Sequence, residues 1–155
     1  MQDTGSTVQE TWHNVEELLN RWLDERKQLL VRYCHFSDDP QTAPRWMDVS
    51  RFCQILMDYM SAGHFEVFDE LVAEAAVFQD GTDEVAEKLY PKIHATTELA
   101  LAFNDKYADE EAWETATGDF PRDVSTLGET LTSRFDLEDK LIAVLHESHR
   151  PAANA

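Results

Sequence analysis

Asp58, Ser61 and Phe65 put a carboxylate, a hydroxyl and an aromatic ring three and four residues apart. The surrounding apolar positions are Val49, Phe52, Cys53, Leu56, Met60, Val67, Leu71, Ala75 and Phe78. On a helical wheel of about 100° per residue the three side chains share an arc of about 60°, some 140° from the centre of that apolar stripe. A carboxylate there can pair with a cation, the hydroxyl can hydrogen-bond, and the ring can anchor a partner. Leaving a Phe in water forgoes about 1.5–3 kcal/mol, so a ring on that side reads as part of a contact surface. This requires the helix to continue through Ala62-Gly63. If Gly63 breaks it, Phe65 opens the next core segment instead. The stripe keeps its phase across the glycine, which favours the continuous helix.

A second set is ionic. Arg26 and Glu138 both fall on core-side positions of their periodic segments, where a charge is tolerated only when paired. They can face each other across the interior in a structural polar network. Arg134, four residues before Glu138, offers a local partner. The other reading leaves both charges at the rim, where the count drifts. Neither arrangement supplies a nucleophile.

Di-iron chemistry in a helical bundle needs a Glu-x-x-His pair on each of two helices, with two further carboxylates projecting inward. Only Glu10-Thr11-Trp12-His13 fits, near a chain end. His146 and His149 lie at the opposite end, while His35, His64 and His94 stand singly without ligand spacing. No Gly-rich phosphate loop, nucleophile elbow or Cys with a motif-placed His occurs. The expectation is no catalytic residue, no metal and no cofactor.

The elements that must carry these residues are helical throughout. Helix one is expected from about Thr7 to Phe36, on Val8, Trp12, Val15, Leu19, Trp22, Leu29, Tyr33 and Phe36. Ser37-Asp38-Asp39-Pro40 and Pro44 stop it. Helix two is expected from about Trp46 to Gln79. Helix three follows from Asp83 to about Tyr107, kinked or restarted at Pro91. An acidic loop, Ala108 to Phe120, leads to helix four, from Pro121 to about Ser148. Four long helices with short connections predict an all-α, up-and-down four-helix bundle of antiparallel helices. It is expected to form one domain over residues 1–155, with tails 1–6 and 150–155 flexible.

Thirty-one acidic against 13 basic residues give a net charge of −18. Such a field repels phosphate backbones, so direct nucleic-acid binding is disfavoured and a basic protein partner is favoured; acidity that serves solubility is the other reading. No apolar run reaches the roughly 20 residues of a membrane span, and Met1 to Gly5 lack a secretory n-region, so a cytoplasmic location is expected. In that reducing compartment Cys34 and Cys53 read as two buried thiols.

The blocks Phe52-Cys53-Gln54, Asp58-Tyr59 and Ser61-Ala62-Gly63-His64-Phe65 are accompanied by two more. Arg21-Trp22-Leu23 with Arg26-Lys27, Leu29-Leu30-Val31 and Tyr33 precedes them; Arg134-Phe135 with Leu137 to Ile142 follows. Together they resemble the Rsd/AlgQ family of bacterial anti-sigma factors, the regulators of sigma D. The resemblance implies a partner, the C-terminal promoter-recognition domain of the housekeeping sigma factor, a basic helix-turn-helix module. It also implies that Asp58, Ser61 and Phe65 are the sigma-contact positions. Asp58 would pair with an Arg or Lys, Ser61 would hydrogen-bond, and Phe65 would supply the apolar anchor. Some members of the family are linked instead to the phosphocarrier HPr or to stringent-response enzymes, which leaves a helical adaptor as the alternative. A bundle-core metal enzyme is the remaining class, disfavoured for want of ligands.

Overall fold

A computed structural model describes residues 4–37 and 44–152. Its elements are α1 (Thr4–Ser37), α2 (Trp46–Ala62), a π-helical turn (Gly63–Val67), α3 (Phe68–Ala76), α4 (Thr82–Lys106), α5 (Glu110–Ala116) and α6 (Phe120–Leu145), with 3₁₀ turns at Thr117–Asp119 and Glu147–His149. No strand occurs among the described residues. The helix stop expected at 38–40 and the outermost tail residues, 1–3 and 153–155, lie outside them.

Long-range contacts fix an up-and-down order. Tyr33 and Phe36 of α1 meet Phe52 of α2, while Trp22 meets Tyr59 farther along, so the two helices run antiparallel. Phe52 meets Phe103 and Phe68 meets Tyr90, which reverses α4 against α2 and α3. Ile93 lies by Arg134 and Phe103 by Phe120, which reverses α6 against α4. The result is the four-helix bundle, with α2, the π turn and α3 forming one rod. Leu19, Trp22, Leu29, Leu56, Leu71, Leu131, Leu141 and Leu145 fill its continuous core.

One end is closed by aromatic rings. Phe36, Phe103, Tyr107 and Trp113 all pack on Phe120, with centroids 4.9 to 6.1 Å apart. Trp113 belongs to α5, so the segment expected as an acidic loop is a short helix lidding the bundle. The Asp109 side chain caps it by accepting the Ala112 N–H at 2.7 Å. Even seven residues can stay helical once a cap and a buried Trp hold them.

Other boundaries differ from the expected ones. The rod ends at Ala76, three residues before Gln79, and Phe78 beyond it is 37% exposed, its ring stacked on His149 at 3.9 Å. α4 passes through Pro91 without restarting, and buries Ala86 while Val85 stays exposed. Cys53 is buried, and burial pushes its thiol up to about 11, whereas Cys34 is exposed because it follows Tyr33 by a further 100° toward solvent. No helix among the described residues is long and apolar enough to cross a membrane.

Candidate functional site

Gly63 decides the local geometry around Phe65. A Cβ at this position would stand 2.8 Å from Cζ2 of Trp22, so only a glycine lets the α1 indole lie flat against the rod. Trp22 stacks on Tyr59 at 4.8 Å with rings 2° from parallel, meets Phe68 edge-on, and its Nε1–H donates to the Tyr59 carbonyl at 3.1 Å. At this point the helix widens into a π turn in which the Phe68 N–H reaches the Gly63 carbonyl five residues back. Backbone angles stay right-handed helical on both flanks, so Gly63 does not break the rod. The wider turn buries Val67 and Phe68 together and leaves Phe65 75% exposed.

Asp58 and Ser61 are exposed two turns and one turn before that ring. The surface around them is acidic. Glu25 of α1 has its carboxyl raised, first by burial and then by repulsion from Asp58, Glu66 and Asp24, so carboxylates from α1 and the rod face the same side. Arg21 and Glu25 line a shallow groove of about 160 Å³ between α1 and the π turn, with Glu66 opposite. The arrangement can bind a cationic surface around an apolar anchor.

Directly inward of this face lies the ionic network. The Glu138 carboxylate accepts from Arg26 Nη2 at 3.0 Å, Arg134 Nε at 2.9 Å and the Tyr59 hydroxyl at 2.5 Å. Arg26 also donates to Tyr59 Oη at 3.0 Å and to Asp139 at 2.8 Å, while its guanidinium lies over the Phe135 ring. Arg134 Nη1 donates to Thr97, Thr96 and the Ile93 carbonyl of α4. Arg134 and Glu138 are fully buried. Burial raises the Glu138 carboxyl and the Tyr59 hydroxyl; Arg134 and Arg26 oppose it at Glu138. Three donors converging on two oxygens suit the ionised, acceptor-only form. Arg134 and Glu138 thus meet in the interior, and the part-buried Arg26 reaches Glu138 from α1.

The family described as regulator of RNA polymerase sigma(70) subunit, Rsd/AlgQ, matches residues 1–146. The chain belongs to the Rsd/AlgQ family. Among its relatives, the regulator of sigma D from Yersinia enterocolitica is 34% identical over 141 residues, covering 88% of this chain and 84% of that protein. The regulator of sigma D from an Enterobacter species is 34% identical over 145 residues, covering 89% and 86%. That from Yersinia pestis is 32% identical over 141 residues, covering 88% and 83%.

This Rsd/AlgQ chain also carries a buried cluster that sequence reasoning missed. At the end of the bundle away from α5, His146 sits between Glu74 on Nδ1 at 2.8 Å and Glu16 on Nε2 at 2.6 Å, under the ring of Trp12 at 4.2 Å. Trp12 Nε1 donates to the His146 carbonyl at 2.9 Å. Glu16, His146 and Glu147 each bring a ligand atom within 4.8 Å of the others, but both imidazole nitrogens already face carboxylates, which makes the cluster an ion pair first. Burial pulls the imidazole pKa down, and Glu74 and Glu16 outweigh it, holding His146 above its ordinary value. The signal for Glu74 was in the sequence: it is a charge between Leu71 and Phe78 on the apolar stripe, as Arg26 is in helix one. Tyr59 and the Thr96–Thr97 pair gave none, because a Tyr or Thr on a helix face is ordinary.

Proposed function

We propose that this protein is an anti-sigma factor that binds the C-terminal promoter-recognition domain of the housekeeping sigma factor through Asp58, Ser61 and Phe65. The observation that carries the reading is the Phe65 ring, 75% exposed within an acidic face, in a chain of a family described as regulating the sigma(70) subunit. A sigma domain must be basic to approach DNA. Its Arg and Lys side chains would meet Asp58, Glu25 and Glu66, its apolar surface would cover Phe65, and Ser61 would hydrogen-bond beside them. Sequestration is the mechanism: a sigma domain held this way is withheld from polymerase and promoter in the cytoplasm, which releases polymerase to alternative sigma factors. No catalytic step, metal or cofactor enters it.

Titration of the isolated sigma domain with parent and Phe65→Ala protein tests this. A central aromatic anchor costs about 2 kcal/mol or more on truncation, roughly thirtyfold in affinity. Melting should be almost unmoved, because the ring packs against little. Unchanged affinity would put the contact surface elsewhere on the bundle. A parallel titration with HPr separates the adaptor alternative, which predicts binding there and none to the sigma domain.

A further inference from the structure

Beside Phe65 the rod turns a second surface toward α4. A cleft of about 740 Å³ opens between α3 and α4, floored by Phe68, Val72, Tyr90 and Ile93. Asp69 and Glu87, both exposed, stand on its opposite helices, and none of the described residues lining it is Lys or Arg. Burial and then the Asp69 carboxylate push the Tyr90 hydroxyl pKa up, which sets that negative charge at the edge of the apolar floor.

The cleft is continuous with the proposed contact face. Phe65, Asp69 and Ala73 follow at four-residue steps along one side of the rod, and Ala73 lines the cleft. His64 lines it too, and its ring meets Phe65 edge-on at 4.8 Å. Asp69 lines the cleft as well, so the exposed anchor directly adjoins the cleft lining.

We infer that this cleft is the second half of the partner interface and receives the apolar side of a basic amphipathic helix of the same sigma domain, with Lys or Arg on its flanks paired to Asp69 and Glu87. The occupant follows from the shape and charge. An apolar floor between two helices, with a carboxylate on each bank, fits a helix that is apolar on one side and cationic on both edges. The grip would then have two points, with the partner holding Phe65 in its own surface and placing its own apolar row in the cleft. The inference rests on the proposed function and extends it to surfaces that the sequence pattern did not single out.

Ala73→Trp tests it from an exposed position, filling the cleft without touching the core. Glu87→Lys reverses the charge of the α4 bank and leaves the cleft open. Each is titrated with the isolated sigma domain alongside Phe65→Ala, with melting measured on every variant. The expected result is that both cleft variants melt near the parent and bind about tenfold or more weakly. Binding by the parent that Phe65→Ala weakens, and that neither cleft variant changes, overturns the cleft assignment and leaves the anti-sigma reading standing. A parent that does not bind the sigma domain overturns both. If Ala73→Trp fails to fold, Glu87→Lys alone decides, since an exposed charge reversal leaves the bundle intact.

Discussion

Glu138→Gln should be among the most damaging isosteric changes available to this chain. The amide keeps the volume and removes the charge that two guanidiniums share. Gln has one acceptor oxygen where the carboxylate has two, so one set of donors must face an NH2 group. Arg26 can fall back on Asp139 at 2.8 Å, and its side chain is 13% exposed to water. Arg134 has no such retreat, at 1% exposure with only Thr96, Thr97 and a carbonyl left to it. The amide oxygen should therefore turn to Arg134 and its NH2 toward Tyr59 and Arg26, with Arg134 left as a buried cation lacking a counter-charge. Removing one partner of a buried pair costs about 3–5 kcal/mol. At about 2–4 °C per kcal/mol for a chain of this size, the melting temperature should fall by roughly 6–20 °C. Circular dichroism melts of parent and variant measure it, with urea unfolding as a second reading. Arg26→Gln should cost distinctly less than Arg134→Gln. A fall of under about 2 °C for Glu138→Gln, or the reverse ranking of the two arginines, would refute the assignment of Glu138 as the charge that makes buried Arg134 tolerable.

Three further outcomes are expected. His146 has a raised pKa in the folded state, so its contribution to stability is full below the unfolded value near 6.5 and is lost as pH rises through the folded value; melting should decline over that window, and His146→Gln should flatten the decline. Gly63→Ala should destabilise by about 1–3 kcal/mol, partly offset by the better helix propensity of Ala, because its Cβ meets a fully buried Trp22. Gly128→Ala should cost less, since there the added atom meets the hydroxyl end of a half-buried Tyr33 that can swing outward, losing its 3.0 Å bond to the Val124 carbonyl. Affinity for the sigma domain should fall as salt rises from dilute to physiological buffer, and Asp58→Ala should lose part of its effect at high salt; an affinity indifferent to salt would make the net charge of −18 a solubility feature.

Helix existence and order were legible because burial of one face writes a 3.6-residue period into 30-residue segments, and that period survives a single irregular turn. Periodicity does not report what fills the gaps between long helices. The α5 lid was invisible for that reason: Glu110 to Ala116 is too short for a stripe, and its one buried ring, Trp113, gains its partners from Tyr107, just past α4, and Phe120 of α6. The π turn left a trace that was easy to pass over. Buried pairs recur seven residues apart at Phe52–Cys53 and Tyr59–Met60, eight residues on at Val67–Phe68 and seven again at Glu74–Ala75, so the π turn shows only as one longer interval while each apolar residue on its own still fits the wheel. Charges on apolar stripes were the best pointers to the interior, since Arg26, Glu74, Arg134 and Glu138 all pair inside the bundle. Which charge pairs with which follows only from three-dimensional contact.

The ionic layer draws Arg26 from α1, Tyr59 from α2, Thr96 and Thr97 from α4, and Arg134 and Glu138 from α6. Apolar surfaces are forgiving of sliding, because a leucine one turn away offers much the same contact. A carboxylate held by two guanidiniums is not. Moving any of the long helices along its axis by one turn, about 5.4 Å, would carry a charge or a hydroxyl out of this layer into hydrocarbon. The layer thus acts as a vernier mark that admits one axial setting of the bundle. Phe65 lies six residues beyond Tyr59 on a rod clamped at that mark, so its height and bearing on the surface are set by chemistry buried well beneath it.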